Sequence, residues 1–133
     1  MKFVIDGEPV GKGRPRFSRV GNYVHTYNPP KTAAYEKKVK TAYLEQTTEK
    51  YHQAIRIDIK AFMGVPSSIS KKKKAELIGT PCLKKPDCDN CAKAVLDALN
   101  GVAYDDDSQV FALTIQKMWS DEPHTEVTID EVV

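Results

Sequence analysis

No run of eighteen apolar residues occurs in this chain, so nothing in it is expected to span a bilayer as a helix. Its first residues, MKFVIDGEPV, do not read as a secretory leader either, because acids and a proline stand where a leader carries a long apolar stretch. Cysteine is scarce: three in 133 residues, an odd number that argues against a disulfide scaffold and for reduced thiols. Internal repeats and low-complexity tracts are missing as well. These absences exclude membrane and secreted classes and predict a soluble, cytoplasmic protein with no membrane partner. With 133 residues, 41% of them hydrophobic, the chain has material for one core and too little for two, so residues 1–133 are expected to form a single domain.

Charge of one sign is locally scarce. Residues 1–100 hold 19 Lys and Arg against 10 Asp and Glu, whereas residues 101–133 hold 1 against 8. A basic body of net +9 followed by a segment of net −7 suits a polyanion such as nucleic acid. An uneven solvated surface is the ordinary alternative, and charge alone does not separate the two.

Periodicity supplies the elements. Phe3–Ile5 reads as a short strand. The segment GKGRPRFSRVGNYVHTYNPP that follows is too rich in Gly, Pro and Arg for a helix; it is expected to be a basic loop, with at most a short strand at Tyr23–Tyr27. Tyr35, Val39 and Tyr43 recur at four-residue spacing through good helix formers, which predicts a helix from Lys31 to about Gln46. Ile55, Ile57, Ile59 and Ala61 alternate with Arg56, Asp58, Lys60 and Phe62, the period of a strand with one buried face. A short lysine-rich helix capped by Ser68 or Ser70 is expected to end near Gly79, its lysine run being a solvated face. Gln109–Trp119 and Thr125–Val132 alternate again across the turn-like SDEPH and read as a closing antiparallel pair. The sum is an α+β domain.

The informative stretch is KKPDCDNCAKAVLDALNGVAYDDDSQV, Lys84–Val110, which gathers carboxylates into two knots on either side of one apolar helix. Like charges so crowded repel unless a cation or proton lies between them. On a helical wheel, Cys88, Cys91, Ala92, Val95, Leu96, Ala98 and Leu99 share one broad face, and Asp89, Lys93 and Asp97 run along the opposite border. Asp87 and Asp89 converge only if Asp87 lies outside the helix at its cap, where the positive end of the helix dipole favours carboxylates. If the strand from Gln109 packs beside this helix, the turn Asp105–Asp107 returns its acids to the same end. An oxygen-rich site of few protein ligands suits Mg²⁺, which keeps several waters and accepts phosphate oxygens. Taken singly, Asp87 has an ordinary explanation as a cap, Asp105–Asp107 as a solvated turn and Lys93 as the salt-bridge partner of Asp89.

These residues resemble the RusA family of Holliday-junction resolvases, endonucleases commonly carried by prophages that cut four-way DNA junctions. The resemblance rests on DCDN with Lys93 four residues after Asp89, then KAVLDALNG, then the acidic turn of DDDSQV; KGRPRF and YNPPKTAAYE are similar to a branch of the family. It implies an α+β fold with a small mixed sheet packed with helices, a homodimer, and Mg²⁺ with no small-molecule cofactor. Carried over by position, Asp87, Asp89 and Asp107 would be the metal-binding aspartates, Asp106 a possible substitute for Asp107, and Lys93 the catalytic lysine. Cys88 and Cys91 inside the motif, and the tripled acid, depart from the family pattern.

For DNA, the basic segment offers Lys12, Arg14, Arg16 and Arg19 interleaved with Phe17, followed by Lys31, as a clamp on phosphates near a branch, with Phe17 or Tyr23 able to stack or wedge. Two other readings compete. The Gly-Arg-Pro core of KGRPRF is that of an AT-hook, which would make the chain a non-catalytic DNA-binding module and leave the acidic knots without a role. Cys82, Cys88 and Cys91 raise zinc or redox chemistry, but no second Cys pair or close His pair completes the usual patterns. His25, His52 and His124 are scattered, with no nucleophile motif beside them, and are assigned no role.

Overall fold

Strand formation begins at Lys2–Asp6 (β1), where Phe3 and Ile5 turn inward and their neighbours outward. The computed structural model describes residues 1–13 and 16–132; the side chains of residues 16–18, 20, 25 and 26 lie outside that description. The basic segment departs from the expected loop: Arg16–Val20 is a strand (β2) that pairs antiparallel with Tyr23–Tyr27 (β3). Pairing across a tight turn, at which Gly21 takes φ 60°, overrides the weak strand propensity of the sequence. This ribbon is a separate two-stranded sheet.

Helix α1 (Pro30–Gln46) starts with proline in its first turn, where the missing N–H is no loss, and buries Thr32, Tyr35, Val39 and Tyr43. Strand β4 (Ile55–Gly64) follows, then the short helix α2 (Lys71–Leu77), which Ser70 caps by accepting the Lys73 N–H. Helix α3 (Cys88–Leu99), a 3₁₀ turn at Asp107–Gln109, β5 (Val110–Ser120) and β6 (His124–Glu131) complete the chain. No helix among the described residues is long and apolar enough to cross a membrane.

The main sheet has the order β1-β6-β4-β5. The last two strands are therefore not the antiparallel pair that their alternation suggested: β4 lies between them, parallel to β5 and antiparallel to β6. A parallel neighbour needs a long crossover, which the segment carrying α2 and α3 supplies. The sheet is thus mixed, and the domain α+β. Helix α1 packs on α3 and β1, and α3 on β5, so that α3 lies along the sheet edge that β5 forms.

Phe3, Ile5, Tyr43, Ile55, Ile57, Ile59, Val95, Leu99 and Tyr104 form one continuous core under these helices. Ile57, on the inner strand β4, is 0% exposed. Ile57→Ala is expected to destabilise the protein by about 2–5 kcal/mol through lost burial and the cavity left behind, read as a lower denaturant midpoint at unchanged slope.

Candidate active site

Helix α3 carries the first acids. Asp87 is its N-cap residue but caps with no side-chain hydrogen bond; its carboxylate pairs with Lys85 Nζ at 2.9 Å. Asp89 is exposed in the first turn, and Lys93 and Asp97 follow at four-residue steps along the same edge. Lys93 Nζ stands 3.6 Å from Asp97 Oδ2. Tyr104 ties the far end of the helix to the chain that follows, its hydroxyl donating to the Leu96 carbonyl at 2.6 Å.

Asp107 then comes back against this edge. Asp89, Lys93, Asp97 and Asp107 line one cavity of about 430 Å³, floored by Ala92 and Leu96 of α3 and by Leu113 and Ile115 of β5. Asp87 does not open into it. Two turn-sized features therefore meet beside a half-apolar wall, and one acid of the first knot stands apart in the neighbouring cleft.

The three consecutive acids of the turn have different surroundings. Asp105 accepts from His52 Nδ1 at 2.8 Å and pairs with Lys50 at 3.4 Å. Asp106 is the N-cap of the 3₁₀ turn, accepting the Ser108 N–H at 3.0 Å, and these bonds hold its carboxyl below the ordinary aspartate range. Asp107 is partly buried, and its Oδ1, itself buried, meets no hydrogen-bond donor among the described residues. Burial, then the negative charge of Asp97, hold its carboxyl above the ordinary range, with Tyr104 and Lys93 pulling the other way.

A raised folded-state pKa contributes stability that is present below the unfolded value and lost as pH rises through the folded one. Asparagine mimics the protonated acid. In metal-free protein, Asp107→Asn is therefore expected to raise the melting temperature at pH 7 and leave it nearly unchanged near pH 3, as calorimetry at the two pH values would show.

A buried, orphaned carboxylate oxygen beside a second carboxylate fits a hard divalent cation such as Mg²⁺, although the exposed thiol of Cys88 also lines the cavity. Asp89 and Asp107, with Asp97 beside them and Asp87 at the adjoining cap, are the residues that would hold it. Among the described residues, no three acid, His or Cys side chains stand together as a finished ligand cage.

Asp97 was legible in sequence only as part of the helix border; its long-range partner explains its place here. Lys12 Nζ bridges Asp97 at 3.0 Å and Glu36 at 2.6 Å, its side chain only 13% exposed. Burial opposes this charge, but the bonds to Glu36 and Asp97 carry the ammonium above the ordinary lysine range. The Lys12 N–H also donates to the Asn90 carbonyl at 2.9 Å. So Lys12, expected to face DNA, fastens the basic segment to α1 and α3. The approach needs glycine next to it: a Cβ on Gly11 would stand 2.5 Å from Pro86 Cβ.

Lys12, Lys31 and Lys85 line a second cleft of about 430 Å³ beside Asp87, and Lys31 is exposed. Arg19 is exposed on β2, and Tyr23 is 80% exposed where β3 begins. Arg14 lies outside the described residues, and of Arg16 and Phe17 only the backbone, within β2, is described.

The cysteines are free thiols. Cys82 and Cys91 are buried, but Cys88, the first residue of α3, is exposed, contrary to the wheel, and opens into the same cavity as Asp89. Burial pushes the Cys91 thiol up to about 11, the wrong direction for a thiolate ligand or a redox nucleophile.

The family model described as Endodeoxyribonuclease RusA matches residues 6–130. The chain is 39% identical to the uncharacterized protein YqaN of Bacillus subtilis (strain 168), in an alignment covering 99% of this chain and 96% of that protein.

Proposed function

The chain belongs to the RusA family of endodeoxyribonucleases, and from that premise we propose that it resolves four-way DNA junctions by paired, Mg²⁺-dependent phosphodiester hydrolysis in the cytoplasm, in DNA recombination and repair. The observation that carries the reading is the shared cavity of Asp89, Lys93 and Asp107, together with a buried Asp107 Oδ1 that has no hydrogen-bond partner among the described residues.

Held by Asp89 and Asp107, with Asp87 joining them from the adjoining cleft, Mg²⁺ would supply activation of the attacking water and neutralisation of charge on the phosphate. The side chains do the rest. Lys93, exposed at the mouth of the cavity, offers its ammonium to the scissile phosphate, where charge grows in the transition state. Asp97 holds that lysine on the cavity side of the helix. Leu113 and Ile115 keep one wall apolar, which strengthens the electrostatic terms by limiting water.

Lys31 and Lys85 in the adjoining cleft, with Arg14, Arg16 and Arg19 of the basic segment, would grip phosphates leading away from the cut. Tyr23, 80% exposed, is an aromatic available to stack at the branch, as Phe17 would be. Paired cuts need two centres, so the acting species is a homodimer of the 14.9 kDa chain.

The test is a nicking assay on a labelled four-way junction with Mg²⁺ or with EDTA, run beside light scattering of the same preparation. Cleavage with Mg²⁺ alone, by a species of twice the chain mass, is expected. Cleavage that survives EDTA contradicts the metal site, and a strict monomer contradicts paired cutting. DNA binding indifferent to Mg²⁺, with no cleavage at all, would favour the non-catalytic DNA-binding module.

A further inference from the structure

We propose that Gln109 is a positioning residue that selects Asp107, out of three consecutive aspartates, as the acid facing the cavity, and thereby sets the affinity of the site for its divalent cation without touching it. The inference rests on the metal-site reading above.

Its support is the hydrogen bonding of a single carboxamide. Gln109 Oε1 accepts the backbone N–H groups of Asp105 at 2.7 Å and of Asp106 at 2.9 Å. Its Nε2 donates to the carbonyls of Tyr51 and Gln53, both at 3.0 Å. A primary amide has two donor hydrogens and an acceptor oxygen with two lone pairs, so every hydrogen-bonding position of this side chain is filled. Backbone N–H groups only donate and carbonyls only accept, which fixes the orientation of the amide.

The two halves of the clasp join distant segments. One holds the acidic turn; the other holds the stretch that leads into the inner strand β4, whose Tyr51 N–H also donates to the Ala103 carbonyl at 2.7 Å. With the turn so fastened, Asp105 faces Lys50 and His52, Asp106 caps the 3₁₀ turn, and Asp107 alone faces Asp97 and the cavity. Tyr104 in the core and Val110 against it anchor the two ends of the turn, but the turn between them buries no residue of its own, so within it apolar packing does not choose among three identical side chains. Hydrogen bonding does. A slip of one residue would present Asp106 and withdraw Asp107.

Glutamate at this position would keep the shape, lose both donations and set a charge against two carbonyls. Alanine would remove all four bonds. The experiment measures Mn²⁺ binding by calorimetry, used as the metal alone, for the native chain and for Asp107→Asn, Gln109→Ala and Gln109→Glu. Melting temperature and junction binding in EDTA are measured on the same samples.

Both Gln109 variants are expected to melt cooperatively, to bind the junction in EDTA like the native chain, and to bind Mn²⁺ about 10–100-fold more weakly, the range for outer partners of metal ligands. Raising Mg²⁺ should restore much of their cleavage. Native Mn²⁺ affinity in both folded variants, while Asp107→Asn loses it, would overturn the role of Gln109 and leave the proposed function standing. Equal Mn²⁺ binding by the native chain and Asp107→Asn would overturn both. Failure of both Gln109 variants to fold would assign the clasp to the fold and overturn the inference.

Discussion

Asp89→Asn is expected to lower junction cleavage by about a thousandfold or more while leaving the junction bound. Asparagine has nearly the shape of aspartate but no charge, and Asp89 is exposed in the first turn of α3, so the fold has little to lose. What it removes is an anionic oxygen for the cation. Water activation and charge neutralisation by a bound metal are worth several kcal/mol, and each ~1.4 kcal/mol is a factor of ten in rate. Binding should persist or tighten, because the lost carboxylate had repelled the phosphates. Single-turnover cleavage and gel-shift titration on the same junction separate the two effects. Parallel loss of binding and cleavage would mean that Asp89 shapes the DNA surface and does not hold the ion.

Junction affinity should fall by about a thousandfold between 50 and 200 mM salt if about six phosphates are contacted, since each neutralised phosphate releases condensed counterion. The lysines of the cleft beside Asp87 and the arginines of the basic segment are the source of those contacts. Lys12 is expected to add little to the slope, because its ammonium is already engaged by Glu36 and Asp97. Salt titration of Mg²⁺-free binding gives the slope directly. A flat response would remove the phosphate clamp from the account, and a slope that drops sharply in Lys12→Ala would contradict the anchoring role of that residue.

The sequence disclosed most where a single short-range rule decides. Tyr35, Val39 and Tyr43 are buried on α1 at their four-residue spacing, and Ile55, Ile57 and Ile59 are buried on β4 at their spacing of two. Pairing was another matter. Alternation along β5 and β6 tells which residues share a face, and it carries no information about which strand lies alongside; both strands turned out to flank β4. β2 was hidden because Gly, Pro and Arg mark a loop locally, while its strand character comes from β3.

The site shows the same division. The border of Asp89, Lys93 and Asp97 followed from helical spacing, but the ion pair from Lys12 to Asp97 joins positions far apart in the chain, and no local pattern encodes it. Asp106 and Asp107 are chemically identical neighbours. What distinguishes them is the cap that engages one and the buried oxygen of the other. Gln109 read simply as the first residue of a strand; its amide bonds to residues 51 and 53 belong to the tertiary fold.

The measurement that bears most directly on the account is cleavage of a labelled four-way junction beside a linear duplex of matched sequence, in Mg²⁺, with every strand resolved. Symmetric cuts in two opposed strands of the junction, and none in the duplex, are the predicted result. Equal cutting of both substrates, or a junction bound and left intact, would contradict it.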